Sequence, residues 1–358
     1  MIKIILTLLL ISAKANAVET DSYGAYSLVP LGSTRTLGMG GAFAALSDDA
    51  SGIYANPAGV ALSRWRWNLS TGSNRVVNKE VDLTGDNKKD GLPYLFQYYA
   101  VAGRFGAWAI AAGLSSPFKQ EMDFFGFYNY KIFIENYSLL ISKQWNKKVA
   151  LGVTIVSEKA TLTADETLFG GGSIVSGDAE LVYPRIGISF RNGNRTGFGI
   201  YYVAERKYTI DPSLNAQVGL GNTFFRDVTI PAKIALGAFI GMGSRIIWVA
   251  DIDFYQATEN MIFTGSPLQS EIPIDNDQKS VLHGGFEMTI VKSSLIDFIW
   301  RGGGYQEPPR TYSANERFHF TMGVSFRYSL FTISASYDQA EGFSNTAQTY
   351  GINFSAIN

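Results

Sequence analysis

The stretch RFHFTMGVSFRYSLFTISASYD (317–338) alternates between apolar and polar side chains on both sides of a short break. In its first half, Phe318 and Phe320 flank the polar His319. Successive side chains of a β-strand point to opposite faces of the sheet, so this alternation predicts two strands, each with one apolar and one polar face. Because only YSL (328–330) separates the two halves, the sequence predicts an antiparallel hairpin with a tight turn.

The same alternation recurs from residue 64 onwards and defines about fourteen segments. An even number of strands places both ends of the chain on one side of a closed sheet. The predicted strands are 64–73, 93–102, 104–115, 132–144, 148–160, 177–191, 195–206, 231–241, 244–256, 281–291, 295–303, 316–328, 330–339 and 346–356.

The connections between the predicted strands alternate between short and long. Short turns include WNKK (145–148), RNGNR (191–195) and GMGS (241–244), whereas the connections between them are longer, as at 207–230 and 257–280. Outer-membrane barrels have short periplasmic turns and long external loops, and a closed barrel pairs every backbone group that lies in lipid. The pattern predicts an all-β fold, a 14-stranded antiparallel transmembrane β-barrel whose apolar face meets lipid. A soluble β-sandwich is the alternative, but it has no reason to keep this parity.

The composition narrows the function. Charged residues make up 17% of the 358 residues, against about 25% in average proteins, and the net charge is −1, so no basic surface for nucleic acid is expected. The absence of cysteine excludes disulfides, thiolate metal sites and cysteine nucleophiles. The two histidines, His283 and His319, are predicted to face the lumen, and His283 lies roughly 13 Å from Glu287 on the same strand. We therefore expect no catalytic site, no metal and no cofactor, and a protein that is not an enzyme.

Residues 1–17 have the layout of a secretory signal peptide. Lys3 precedes the apolar run IILTLLLIS (4–12), and the tripeptide ANA (15–17) matches an A-x-A cleavage site. The apolar run is too short to span a membrane as a helix, which needs about 20 residues. We therefore expect export and, for a barrel, the outer membrane of a Gram-negative bacterium.

The stretch GGAFAALSDDASGIYANPAGVA (40–61) shows no alternation and is rich in alanine and glycine. Asp48 and Asp49 suit the positive end of a helix dipole, and Asn56 followed by Pro57 combines a capping residue with a proline preset for the first helical position. The stretch is predicted to belong to a small helical module, a hatch, which is either a loose periplasmic extension or a plug inside the barrel. The predicted domains are a signal peptide (1–17), the hatch (18–63) and the barrel (64–358).

The segment LGMGGAFAALSDDASGIYANPAGVALS (37–63) resembles the N-terminal signature of the FadL-type family, outer-membrane channels for long-chain fatty acids and aromatic hydrocarbons. Two later stretches, VTIPAKIALGA (228–238) and WRGGGY (300–305), are similar to the same family. The resemblance implies a hatch inside a fourteen-stranded barrel and diffusive uptake of a hydrophobic small molecule, which external loops capture and a gap in the wall releases sideways. The signature residues are Gly38, Gly40, Gly41, Asp48, Asp49, Asn56, Pro57, Ala58 and Gly59.

A looser form of this signature also occurs in PorV-type barrels, which act as shuttles or scaffolds in protein secretion. On that alternative the partner is a secreted protein rather than a hydrophobic small molecule. Both alternatives place the barrel in outer-membrane lipid. A co-purifying hydrophobic ligand would favour the channel, and a stable protein partner would favour the shuttle.

Apolar side chains in three predicted external loops are candidates for ligand capture. Exposed aromatic clusters can receive an apolar ligand, but they are equally typical of the aromatic girdle at a membrane surface. For the wall gap, Gly113 and Pro117 are candidates because glycine weakens strand pairing and proline ends it; a glycine within an unbroken wall is the alternative. The loop candidates are Phe124, Phe125 and Phe127 in 116–131, Phe169 in 161–176, and Leu214, Leu220, Phe224 and Phe225 in 207–230.

The polar faces of the predicted strands carry charges of both signs. In a closed lumen we expect these side chains to pair with each other and with the hatch, and the alternative is that one of the basic residues binds a ligand carboxylate. The predicted lumen charges are Arg66, Glu158, Arg185, Lys233, Asp251, Asp253, Glu287, Asp297, Arg301 and Arg327.

Overall fold

The computed structural model describes nine ranges of the chain. The predicted signal peptide (1–17) and the first part of the predicted hatch lie outside them. Among the described residues, no helix has both the length and the apolar character needed to cross a membrane. The described ranges are 32–78, 93–124, 128–166, 173–193, 195–208, 228–257, 277–308, 316–341 and 347–358.

Fourteen strands form one closed antiparallel barrel, as the sequence predicts. They are β1 (Trp67–Asn78), β2 (Pro93–Phe105), β3 (Trp108–Phe124), β4 (Tyr128–Gln144), β5 (Val149–Glu166), β6 (Ser173–Asn192), β7 (Thr196–Val203), β10 (Lys233–Met242), β11 (Ile246–Tyr255), β12 (Lys279–Lys292), β13 (Ile296–Glu307), β14 (Arg317–Tyr328), β15 (Phe331–Glu341) and β16 (Ala347–Ile357). Strands β8 (Arg206–Tyr208) and β9 (Val228–Ile230) form a separate two-stranded sheet. Wall neighbours follow chain order, except that β7 pairs with β10 and β1 closes the ring on β16.

Strands β3 to β6 extend into two connections that the sequence predicts to be long. Strands β3 and β4 continue past their predicted ends, so the expected long connection 116–131 shrinks to residues 125–127. Strands β5 and β6 likewise extend into 161–176. The expectation of long connections at these two places is wrong. Pro117 and the charges that follow it indicate a strand end. In the structure the proline instead lies in a β-bulge, and β3 pairs with β4 again from Phe118–Ile134 onwards.

The apolar faces of the strands point outward and the polar faces point inward. In β14, Phe320 and Met322 are 59% and 56% exposed, whereas His319 and Thr321 on the other face are buried. A barrel in water would show the reverse pattern. An outward apolar belt on a closed sheet suits a lipid bilayer, which favours apolar surface and offers backbone groups no hydrogen bonds. The arrangement therefore matches the predicted lipid-facing surface.

Residues 32–63, the described part of the predicted hatch, fold inside the barrel. They form α1 (Thr34–Gly38), a 3-10 helix (Ala50–Tyr54) and α2 (Pro57–Ala61). A polar side chain caps the start of each helix: Ser33 accepts from Thr36 N–H, Asp49 from Ser51 N–H and Asn56 from Ala58 N–H. The structure thus places this part of the chain within the barrel rather than as an extension outside it.

Candidate functional site

The hatch packs closely against the inner face of the wall, which carries glycine where the two meet. A methyl group added at Gly199 would lie 2.0 Å from Ala44 O, and one at Gly285 would lie 2.5 Å from Met39 O. Real Cβ atoms do not come so close, so a larger residue requires the hatch to move. The wall glycines at which an added methyl group would lie within 2.5 Å of a hatch atom are Gly113, Gly152, Gly187, Gly199, Gly285 and Gly303.

Two signature glycines form a turn of the hatch that requires positive φ angles. Gly40 and Gly41 have φ angles of +69° and +86°, in the left-handed region that other residues rarely adopt. A Cβ atom on Gly40 would also lie 2.5 Å from the carbonyl oxygen of Gly304 in β13. The Gly-Met-Gly-Gly run is therefore needed both for the turn and for its close approach to the wall.

Asn56 of the signature holds the hatch to itself and to the wall. It is fully buried, and its Oδ1 accepts from the N–H of Ala58 at 3.1 Å, which caps α2. Its Nδ2 donates to the carbonyl oxygen of Ala44 at 2.8 Å and to Ser189 Oγ of β6 at 3.0 Å. The one side-chain amide of Asn56 thus supplies hydrogen-bond partners to a helix end, a hatch loop and a wall strand, all of them away from solvent.

We expect Asn56→Ala to weaken the seating of the hatch by about 2–4 kcal/mol, because the helix loses its cap and buried polar groups lose their partner. The measurement is single-channel conductance in planar bilayers together with protease sensitivity of the hatch. Asn56→Asp keeps the capping oxygen but turns a second acceptor oxygen towards the carbonyl oxygens of Ala44 and Ile188, so it should not restore the seating. Conductance and protease sensitivity equal to those of the unmodified protein would show that this side chain does not hold the hatch.

A charged network ties the middle of the hatch to the wall. Arg35 donates to Asp48 Oδ1 at 2.6 Å and to Glu287 Oε2 at 2.8 Å, and Arg301 donates to the same Glu287 oxygen at 2.8 Å. Asp48 also lies 3.4 Å from Arg191 of β6. Desolvation in the lumen would raise the pKa of Asp48, but Arg35 and Arg191 outweigh it and hold that pKa below its ordinary value. The signature residue Asp48 is therefore an ionised anchor.

Most predicted lumen charges contact each other or the hatch. Asp251 Oδ2 accepts from the backbone N–H groups of Phe43 and Ala44 at 2.5 and 2.6 Å. Arg66 is an exception: it is exposed, precedes β1 and donates its N–H to Asn358 O, so the prediction that it lines the lumen is wrong. The predicted first strand simply begins three residues too early. Further contacts join Lys233 to Asp253, Glu158 to Arg206, Arg185 to Ile53 O, and Arg327 to Asp297.

Both histidines take part in structural hydrogen bonds. His283 Nδ1 lies 2.8 Å from the carbonyl oxygen of Gly40. Because a carbonyl oxygen can only accept, Nδ1 carries the hydrogen and donates it. His319 lies between two carboxylates, with Nδ1 3.0 Å from Asp338 Oδ1 and Nε2 3.0 Å from Glu307 Oε2. Within the described ranges, no group of three or more histidine, aspartate or glutamate side chains is arranged to hold a metal ion.

The wall ladder ends early between β2 and β3, beside the candidate gap residues. Their pairing, which we call the β2–β3 seam, runs from Phe105–Trp108 to Gln97–Ser116. The register with β4 then shifts between Ser115 and Phe118, which makes a β-bulge at Pro117. Of the described residues beyond this bulge, those of β3 pair with β4 but not with β2.

A hatch side chain contacts both strands of this seam from the inside. The single hydroxyl hydrogen of Tyr54 is shared between the carbonyl oxygens of Tyr99 in β2 and Leu114 in β3, which lie 2.8 Å from the hydroxyl oxygen. It reaches them across Gly113, where an added Cβ would lie 2.5 Å from the Tyr54 oxygen. The glycine thus admits the tyrosine, and the tyrosine binds both edges of the seam.

Two spaces flank the hatch and the seam. On the lipid side of the seam is a groove of about 780 Å³, and below the hatch is a cavity of about 670 Å³ whose lining includes Arg35, Asp48 and Glu287. The groove is almost wholly apolar, whereas the cavity carries charged side chains of both signs. The apolar side chains that line the groove include Leu69, Val101, Ala112, Leu114, Leu139 and Ile155.

The candidates for ligand capture fall mostly outside the described residues. Phe124 is the last residue of β3, at the end of the wall opposite the short turns. The candidates outside the described residues are Phe125, Phe127, Phe169, Leu214, Leu220, Phe224 and Phe225.

Sequence reasoning missed Arg35, Tyr54 and the inward-facing glycines. Arg35 precedes the signature and gives no pattern of its own, and Tyr54 reads as an ordinary aromatic within it. The glycines do carry a signal: Gly152, Gly187 and Gly199 fall on the inward parity of their strands, where polar residues are otherwise the rule.

Comparison with known proteins finds no matching family model and no matching curated protein. Solved structures do match. The toluene transporter TbuX of Ralstonia pickettii has a TM-score of 0.66 at 15% identity, over 92% of this chain and 99% of its own. The monoaromatic hydrocarbon channel CymD gives 0.66 at 14%, over 93% and 99%, and the toluene transporter TodX of P. putida gives 0.61 at 13%, over 95% and 99%. The likeness to hydrophobic-compound channels that the signature indicates is therefore confirmed at the level of the fold: along nearly its whole length, this chain folds as these hydrocarbon transporters do.

Proposed function

We propose that this protein is an outer-membrane channel for diffusive uptake of hydrophobic small molecules, and not an enzyme. The observation that carries the proposal is a barrel with an outward apolar belt whose lumen is filled by a hatch packed on wall glycines. A filled lumen suits a channel that must not leak water and ions. The shared fold with toluene and monoaromatic hydrocarbon transporters supports aromatic hydrocarbons as ligands. The signature in residues 37–63 adds long-chain fatty acids as the second candidate class.

The ligand is proposed to leave sideways through the β2–β3 seam. The cavity below the hatch is lined by charges, among them Arg35, Asp48 and Glu287, and each methylene group kept in water there costs roughly 0.8 kcal/mol relative to an apolar site. The groove outside the seam is apolar and opens onto lipid. A hydrophobic molecule therefore gains more by leaving through the wall than through the periplasmic end.

Tyr54 is proposed to couple the hatch to the seam. Its shared hydrogen bond to Tyr99 and Leu114 holds the seam shut while the hatch is seated. A ligand that displaces the hatch withdraws the tyrosine and uncovers Gly113. Capture remains assigned to the external loops, with Phe124, Phe125, Phe127, Phe169, Leu214, Leu220, Phe224 and Phe225 as candidates.

Uptake in cells that lack their own hydrophobic channels tests the function. We expect cells that make this protein to take up radiolabelled toluene or oleate faster than cells with an empty vector, and the better of the two names the ligand class. Uptake of neither compound, with a secreted protein co-purifying in stable complex, would refute the channel and favour the PorV-type shuttle.

A further inference from the structure

Cations without acidic partners surround the end of the barrel that carries the short turns. Within the described ranges, no aspartate or glutamate is exposed at that end of the barrel. Asp297 does lie there, but its side chain is buried and pairs with Arg327. Exposed, unpaired cations next to a membrane attract anionic lipid headgroups. The exposed cations at this end include Lys143, Lys147, Lys148, Arg195, Arg245 and Lys292.

The cations are densest below strands β1–β5. Lys143 projects from the lipid-facing side of β4, and its Nζ lies 4.9 Å from the ring of Trp108 and 5.4 Å from that of Trp145. Tryptophans mark the level at which the apolar belt of a barrel meets the headgroups. Lys148 is exposed in the turn that follows, whereas Lys147 of the same turn lines the cavity below the hatch. Lys143, Lys148 and the two indoles therefore form the patch at headgroup level that we call the basic patch.

The apolar groove lies on the same strands, directly above the basic patch. Lys143 pairs with Trp108, and Leu139 pairs with Ala112 in the groove. Leu139 is four residues further along β4, which is roughly 13 Å at about 3.3 Å per residue. The distance of roughly 13 Å between Lys143 and Leu139 is about half of the ~25 Å apolar belt of an outer-membrane barrel. It therefore corresponds to the thickness of one leaflet.

We propose that strands β1–β5 bind one phospholipid of the periplasmic leaflet, with an acyl chain in the groove and an anionic headgroup on the basic patch. The proposal needs the short turns to face the periplasm, as in other outer-membrane barrels, but it does not depend on the channel function. An acidic soluble protein would match the lysines and leave the groove unmatched. A phospholipid matches both, because one molecule carries a phosphate and an apolar chain at this spacing.

Native mass spectrometry of the full-length barrel tests the site, with equal amounts of phosphatidylglycerol and phosphatidylcholine that carry the same acyl chains. We expect the protein to retain one phosphatidylglycerol with a preference of roughly 25-fold, since each of the two lysines of the patch contributes a factor of about five. The double variant K143Q/K148Q should bring the ratio of the two lipids close to one. Ala112→Trp, which fills the groove, should reduce retention of both lipids.

Matched controls lie on the opposite wall. R245Q/K292Q removes exposed cations at the same end of the barrel, and Ala250→Trp adds the same bulk to another lipid-facing alanine. Neither should change lipid retention. An equal effect of the two charge variants would overturn the proposal in favour of a diffuse belt of charge. If the unmodified protein shows no preference between the two lipids and an acidic periplasmic protein cross-links to position 148, the proposal is overturned in favour of a protein partner.

Discussion

Replacing Gly285 with alanine is expected to unseat the hatch and turn a closed barrel into a leaking one. The new methyl group would lie 2.5 Å from the carbonyl oxygen of Met39 and 2.8 Å from its Cα, and both are backbone atoms that cannot rotate away. Overpacking of this kind costs roughly 1–3 kcal/mol, and 1.4 kcal/mol changes a population about tenfold. We therefore expect the time-averaged ion conductance in planar bilayers to rise by about tenfold.

The adjacent glycine provides a matched control. An alanine at Gly284 would meet no atom within 4 Å, since this position lies on the other side of the same strand. Gly284→Ala makes the same chemical change one residue away, so it should leave conductance unchanged. If both variants conduct like the unmodified protein, the hatch does not close the lumen, and the proposal that it prevents leakage fails. If both leak equally, the defect lies in β12 itself.

The comparison between these two glycines shows what the sequence can and cannot predict. Alternation fixes the strands and their lipid-facing sides, because a membrane barrel repeats one local rule fourteen times. The same parity tells which of Gly284 and Gly285 faces inward. The parity does not show that the hatch backbone lies against Gly285, because that contact joins residues 246 positions apart in the chain. Seating of the hatch is a tertiary property, and only the family signature points to it from sequence.

The extended strands show a different limit. Sequence reasoning ends β3 near Pro117, since proline removes a backbone donor, and this local inference is sound. The strand continues because the proline lies in a bulge and the residues beyond it pair with β4, the one strand among the described residues that they pair with. The residue that suggests a strand end therefore marks the place where β3 leaves β2. The candidate gap residues Gly113 and Pro117 fall beside this interruption.

A disulfide across the last rung of the seam is expected to abolish uptake. Gln97 and Ser116 lie directly opposite each other at the end of the β2–β3 ladder, and opposite Cα atoms in antiparallel strands are about 4.5–5.5 Å apart, within the reach of a disulfide. The protein has no cysteine, so Q97C/S116C forms this bond without competitors. A disulfide typically contributes about 2–4 kcal/mol, which would lower the population of an opened seam by more than about tenfold.

Uptake of the labelled compound by oxidised cells should then fall towards that of cells without the protein, and a reductant should restore it. The control V324C/A335C places the same bond between opposite residues of β14 and β15, on another part of the wall, and should leave uptake unchanged. Because both bonds brace the barrel alike, only lateral release through the β2–β3 seam predicts a difference between them. Unimpaired uptake in oxidised Q97C/S116C would mean that the ligand leaves elsewhere, and the closed lumen would then have to open towards the periplasm through the charged cavity below the hatch.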